Sequence, residues 1–172
     1  MSIHLPLSFS VKMKSSNGLI GSHQVLLDAT KKPLLYVKGI GVTSKIELFD
    51  DEKMTSKIVS IYDGKINDIQ QGKQLASFTY KRLVSSNPLT ITTAEGKTLE
   101  VKTSNIVLPI LRGLGAFGLL VPIKYGLYDG DRLLALFSMP IVLGAKQVKC
   151  DIKEKTLSDE LLASLAAMMN SY

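Results

Sequence analysis

The chain has 172 residues, 45% of them hydrophobic and 21% charged, with a formal net charge of +6. That is one domain's length of chain, 1–172, with enough apolar material for a sizeable core, which excludes intrinsic disorder. The single cysteine, Cys150, cannot form an internal disulfide, and His4 and His23 cannot build a Cys/His zinc site without carboxylates.

The opening residues lack a basic stretch followed by a long apolar run, so a cytoplasmic, reducing location is expected. Leu7, Phe9, Val11 and Met13 then alternate with Ser8, Ser10, Lys12 and Lys14. Successive strand side chains point to opposite faces, so this predicts a strand with the apolar set inward and both lysines outward. Five strand-turn-strand units follow. The first runs from Val25-Leu26-Leu27 through Asp28 to Lys32 into Leu34 to Val37, and the second from Ile46 to Phe49 through Asp50 to Lys53 into Ile58-Val59. In the third, Ile66 and Ile69 precede a turn at Gln71-Gly72-Lys73 and a strand from Leu75 to Tyr80. The fourth joins Leu89 to Ile91 with Leu99 to Val101, and the fifth joins Tyr125 to Tyr128 with Leu133 to Phe137 through Asp129-Gly130-Asp131. Asp and Gly suit these turns because they tolerate the positive φ of tight connections. A last alternation, Val148, Cys150 and Ile152 against Lys149, Asp151 and Lys153, predicts the final strand.

The segment from Leu157 to Met169 is rich in helix formers and free of β-branched residues, with Ser158 placed to cap a helix from Ser158 to Asn170 and Asp159 and Glu160 to complement its dipole. Its apolar residues encircle the cylinder, so it must be buried on all sides, and at about 20 Å it is too short to span a bilayer. The expected fold is mainly β, a closed antiparallel β-barrel of about twelve strands around a buried C-terminal helix. Closure removes the sheet edges and the helix fills the lumen. The rival, a sandwich with the helix docked outside, leaves an apolar helix face in water.

The serial units Val25 to Val37, Ile46 to Val59 and Tyr125 to Phe137, followed by the apolar helix Leu161 to Met169, resemble the tubby C-terminal-like superfamily. Within it, the similarity is to the LURP-one-related proteins and their bacterial relatives, with phospholipid scramblases as cousins. The resemblance implies a twelve-stranded barrel around a central helix, membership of a group tied to contact with membrane phospholipid or phosphoinositide, and no established catalysis for the LURP-one-like branch. The cysteine-rich and acidic calcium segments of scramblases have no counterpart here, which argues against scrambling.

Basic residues on neighbouring strands would recognise an anionic headgroup, and Lys12, Lys14, Lys81 and Arg82 have that chemistry. They are expected to meet on adjacent strands. Gly113 to Gly118 spells G-x-G-x-x-G, but Pro122 and Gly126 leave no room for the helix that a dinucleotide site requires. Asp50-Asp51-Glu52 and Asp129-Gly130-Asp131 read as turns rather than calcium sites, Tyr62-Asp63-Gly64 reads as a turn, and Cys150 reads as a buried hydrophobe. No catalytic set, cofactor, metal or nucleic-acid partner is expected. The reading is therefore a non-enzymatic binding module for anionic phospholipid or phosphoinositide headgroups, cytoplasmic and peripheral to a membrane. The alternatives are a protein-interaction or structural module that uses the apolar, glycine-rich segment 106–123, and an enzyme whose groups converge only in the fold.

Overall fold

The computed structural model describes residues 3–14, 23–39, 45–80, 89–103, 123–139 and 147–171. The strands are β1 (Ser8–Lys14), β2 (His23–Leu27), β3 (Pro33–Lys38), β4 (Ile46–Phe49), β5 (Lys57–Tyr62), β6 (Lys65–Asp68), β7 (Lys73–Tyr80), β8 (Leu89–Thr93), β9 (Thr98–Thr103), β10 (Ile123–Asp129), β11 (Arg132–Met139) and β12 (Gln147–Ile152), followed by α1 (Asp159–Ser171). Each strand pairs antiparallel with its sequence neighbours, and β1 also pairs with β12, from Ser8↔Asp151 to Lys12↔Gln147, so the ring closes.

The turns form where side-chain chemistry favours them. Asp28 accepts the backbone N–H groups of Thr30 at 2.8 Å and Lys32 at 2.9 Å, and Asp51 accepts those of Thr55 at 2.9 Å and Ser56 at 2.8 Å. These bonds give the β2–β3 and β4–β5 connections a local substitute for ladder pairing. Asp63 and Gly64 both take positive φ, 51° and 71°, in the two-residue turn between β5 and β6.

Helix α1 starts where the sequence places its cap: the Ser158 hydroxyl accepts the Leu161 N–H at 3.3 Å, and the Ser158 carbonyl accepts that of Leu162 at 3.1 Å. Every residue of the helix is buried. It packs against β12, β1 and β2 on one side and against β5 and β6 across the ring, so it lies along the barrel axis and the sandwich alternative is excluded. Several of its polar side chains bond inside, while Asn170 Oδ1 and Asp159 Oδ1 have no partner among the described residues. Ser164 Oγ donates to the Glu160 carbonyl at 2.7 Å, Gln24 Nε2 donates to Ser171 Oγ at 2.7 Å, and Asn170 Nδ2 donates to Gln24 Oε1 at 3.2 Å. At the other end the Asp159 carboxylate accepts the Leu5 N–H at 2.9 Å and lies 3.1 Å from Lys155 Nζ, which also donates to the Leu5 carbonyl at 3.0 Å. The Asp159 end of the barrel is termed lower and the Ser171 end upper.

Leu7, expected inside, lies outside: it precedes β1 at the lower rim and is 63% exposed. Alternation assigns a face only within a strand, and Leu7 falls just before one. The wall is apolar inward, with Phe9, Val11, Leu99, Val101, Phe137 and Cys150 buried, and charged outward, the reverse of a barrel in lipid. Among the described residues, no helix is long and apolar enough to cross a membrane.

Candidate anion-binding face

On the outer wall from β10 to β1, strand register gathers cations that are distant in sequence. Lys149 on β12 stands opposite Ser10 of β1 and Ser138 of β11, and Ser138 stands opposite Lys124 of β10. One cross-strand row therefore reads Ser10, Lys149, Ser138, Lys124. Lys12 lies two residues beyond Ser10, diagonal to Lys149, a separation of about 7–8 Å between strand positions. Lys124 and Lys149 are two strands apart, about 10 Å at the ladder spacing, within reach of two flexible lysine side chains. Lys124 and Lys149 are exposed, while Lys12, Ser10 and Ser138 are half-buried. Among the described residues, neither Lys12 nor Lys149 has a carboxylate in ion-pair distance.

The adjoining cation is already engaged. Lys102 on β9 lies 2.7 Å from Glu100 and 5.6 Å from the centre of the Tyr128 ring, and the hydrogen bond with Glu100 raises its pKa. Glu47 on β4 is held by Lys45 at 2.8 Å and Lys57 at 2.6 Å. Burial pushes its carboxyl up, but the hydrogen bonds from both lysines outweigh that and hold it below its ordinary value.

Of the residues singled out from sequence, Lys12 lies beside the row just described, diagonal to Lys149, and Lys14 closes β1 with its backbone paired to His23. Lys81 and Arg82 lie outside the described residues, as does segment 106–122 with its G-x-G-x-x-G. Strand β7, which precedes Lys81 and Arg82 in sequence, pairs with β6 and β8 and stands six strands from β1 around the ring, so β1 and β7 are not adjacent strands. Sequence reasoning passed over Lys124, and it took Lys149 for an ordinary outward residue. The β10–β11 hairpin turn could have linked Lys124 to Ser138, but the pairing of β12 with β1 had no local signal.

No family model matches the chain, and no curated protein matches it. Among solved structures, it is similar to the X-ray structure of a protein from Arabidopsis thaliana, with a TM-score of 0.56 and 15% identity over 95% of this chain and 90% of that one. The likeness is of fold alone.

Asp28 and Asp51 cap turns, and their pKa values are lowered, by the Thr30 hydroxyl first for Asp28 and by the Ser56 N–H first for Asp51. Among the described residues, no group of three or more His, Cys, Asp or Glu is placed to hold a metal ion. Cys150 is fully buried between the wall positions of Phe9 and Phe137, and burial pushes its thiol up to about 12.

Proposed function

We propose that this protein is a non-enzymatic binding module for anionic phospholipid headgroups, with phosphoinositides as the strongest ligands, cytoplasmic and peripheral to a membrane. The supporting observation is the placement of Lys149 and Lys124 on one outer row with the Ser138 hydroxyl between them, Ser10 at its end and Lys12 diagonal to Lys149. A phosphate is bound by two or more converging cationic donors, and hydroxyls complete its coordination. A headgroup with several phosphates matches a row of lysines better than a single phosphate does. The barrel of the tubby C-terminal-like superfamily, which this sequence resembles, carries the same implication.

The test is vesicle sedimentation on phosphatidylcholine alone, on phosphatidylcholine with phosphatidylserine, and on phosphatidylcholine with a phosphoinositide. A lysine near an anionic surface contributes about 1 kcal/mol, so replacing Lys12, Lys149 and Lys124 by Ala together should weaken partition on the order of 100-fold. Absence of wild-type sedimentation on every vesicle would overturn the reading and turn attention to a protein partner for segment 106–123.

A further inference from the structure

The cationic face does not end at β1. Lys12 stands across from Val25 of β2, so His23, two residues away on the outer side of that strand, is diagonal to Lys12, about 7–8 Å between strand positions. The outward direction of His23 is set by its neighbour. Gln24 is fully buried and points to the axial helix, where its side chain donates to Ser171 Oγ at 2.7 Å and accepts from Asn170 Nδ2 at 3.2 Å, and successive strand residues face opposite sides. On the far side Gln24 pairs with Val37 of β3, which places Lys38, the next residue, across from His23. His23 is half-buried and Lys38 is exposed. The outer wall therefore carries one basic band from β10 to β3, running through Lys124, Lys149, Lys12, His23 and Lys38.

The charged groups on the strands beside His23 are of one sign. On β1 the position across from it is Lys14, with Lys12 diagonal, and on β3 stand Lys38 and, across from Val25, Tyr36. Glu47 faces Lys38 from β4, two strands from His23, and its carboxylate is taken by Lys45 at 2.8 Å and Lys57 at 2.6 Å. Behind the wall, Asn170 and Ser171 carry no titratable side chain. Among the described residues, no carboxylate lies in ion-pair distance of His23. The partner that favours a charged imidazole therefore has to come from outside, and an anion seated on the band supplies it. We propose that anion binding on this face is proton-linked through His23, so that the protein holds an anionic membrane more tightly as pH falls from about 8 to about 5; this rests on the lipid reading above. The sign follows from linkage: binding that favours the protonated imidazole takes up a proton, so acid favours binding. Histidine is the side chain whose ordinary charge change falls in that window, and the chain has two, the other being His4 at the lower end, 3.7 Å from Asp159.

The test is sedimentation on vesicles of phosphatidylcholine with phosphatidylglycerol, an acidic lipid whose phosphodiester stays ionised throughout this range, at about pH 7.5 and about pH 5.5. One charge gained near an anionic surface strengthens partition about fivefold, so the wild type should bind about fivefold more tightly at the lower pH. His23→Asn should bind equally at both, at the weaker level of the wild type. His23→Arg, which fixes the charge, should also bind equally at both, at the stronger level. His4→Asn should follow the wild type. Equal wild-type partition at the two pH values would overturn the proton linkage and leave lipid binding standing. A pH response that persists in either His23 variant would overturn its assignment to this residue, and the two variants are read separately, so poor folding of one leaves the other to decide. Failure of the wild type to sediment at both pH values would remove the lipid reading itself.

Discussion

Placing a charge on four successive helix residues tests the axial helix directly. Leu162, Ala163, Ser164 and Leu165 point in directions about 100° apart and so sample the whole circumference of α1. Their exposures are 1%, 0%, 0% and 0%. Leu165 stands midway along the helix, about 9 Å from either end at ~1.5 Å per residue, too far for an aspartate to reach water at a rim. Leu165→Ala should cost about 3 kcal/mol through lost burial and a residual cavity, lowering Tm by roughly 6–12 °C for a chain of this length. Aspartate adds an uncompensated buried charge worth several kcal/mol more, a large part of a total stability of about 5–15 kcal/mol. Each of the four aspartate variants should therefore lose cooperative unfolding in thermal and urea melts followed by circular dichroism. Leu7→Asp, at an exposed position, is the control and should match the wild type. A helix docked outside the sheet has one tolerant face, so a single aspartate variant of the four with wild-type Tm would refute the axial placement.

Gly39→Ala should destabilise the barrel, because Gly39 has φ of +99° and an added Cβ would collide with the Lys45 backbone, so a urea midpoint equal to the wild type would contradict the close approach there. Asp28, Asp51 and Glu47 have native pKa values below their ordinary ones, so their stabilisation is present at neutral pH and is lost as pH falls below about 4 through those lowered values. Urea melts at pH 6 and pH 3 should show lower stability at pH 3, and replacing Asp51 by Asn should shrink the difference. The Cys150 thiol, pushed up to about 12 by burial, should react with a disulfide reagent at pH 8 only after unfolding, and fast labelling of native protein would contradict its burial.

The strands, the turns and the helix were legible in the sequence because each depends on neighbours within a few residues. Alternation set the inward faces of Phe9, Val11, Val148 and Cys150, Asp28 and Asp51 marked turns by bonding to nearby N–H groups, and Ser158 marked the helix start. The apolar circumference of Leu161 to Met169 also required a lumen around it, which pointed to a closed barrel. Alternation failed at Leu7, which lies one residue outside its strand, where no pleat assigns a side. The cationic row was beyond local reasoning. Lys149 meets Ser10 only because β12 pairs with β1, a contact between the two ends of the sheet that has no intervening turn to set its register. Closure also placed β1 and β7 on opposite sides of the ring, a relation that nothing local to either strand determines. Local sequence determines which residues face out, and the closed ring decides which of them are neighbours, because pairing across the seam depends on strand number and stagger summed over the whole barrel.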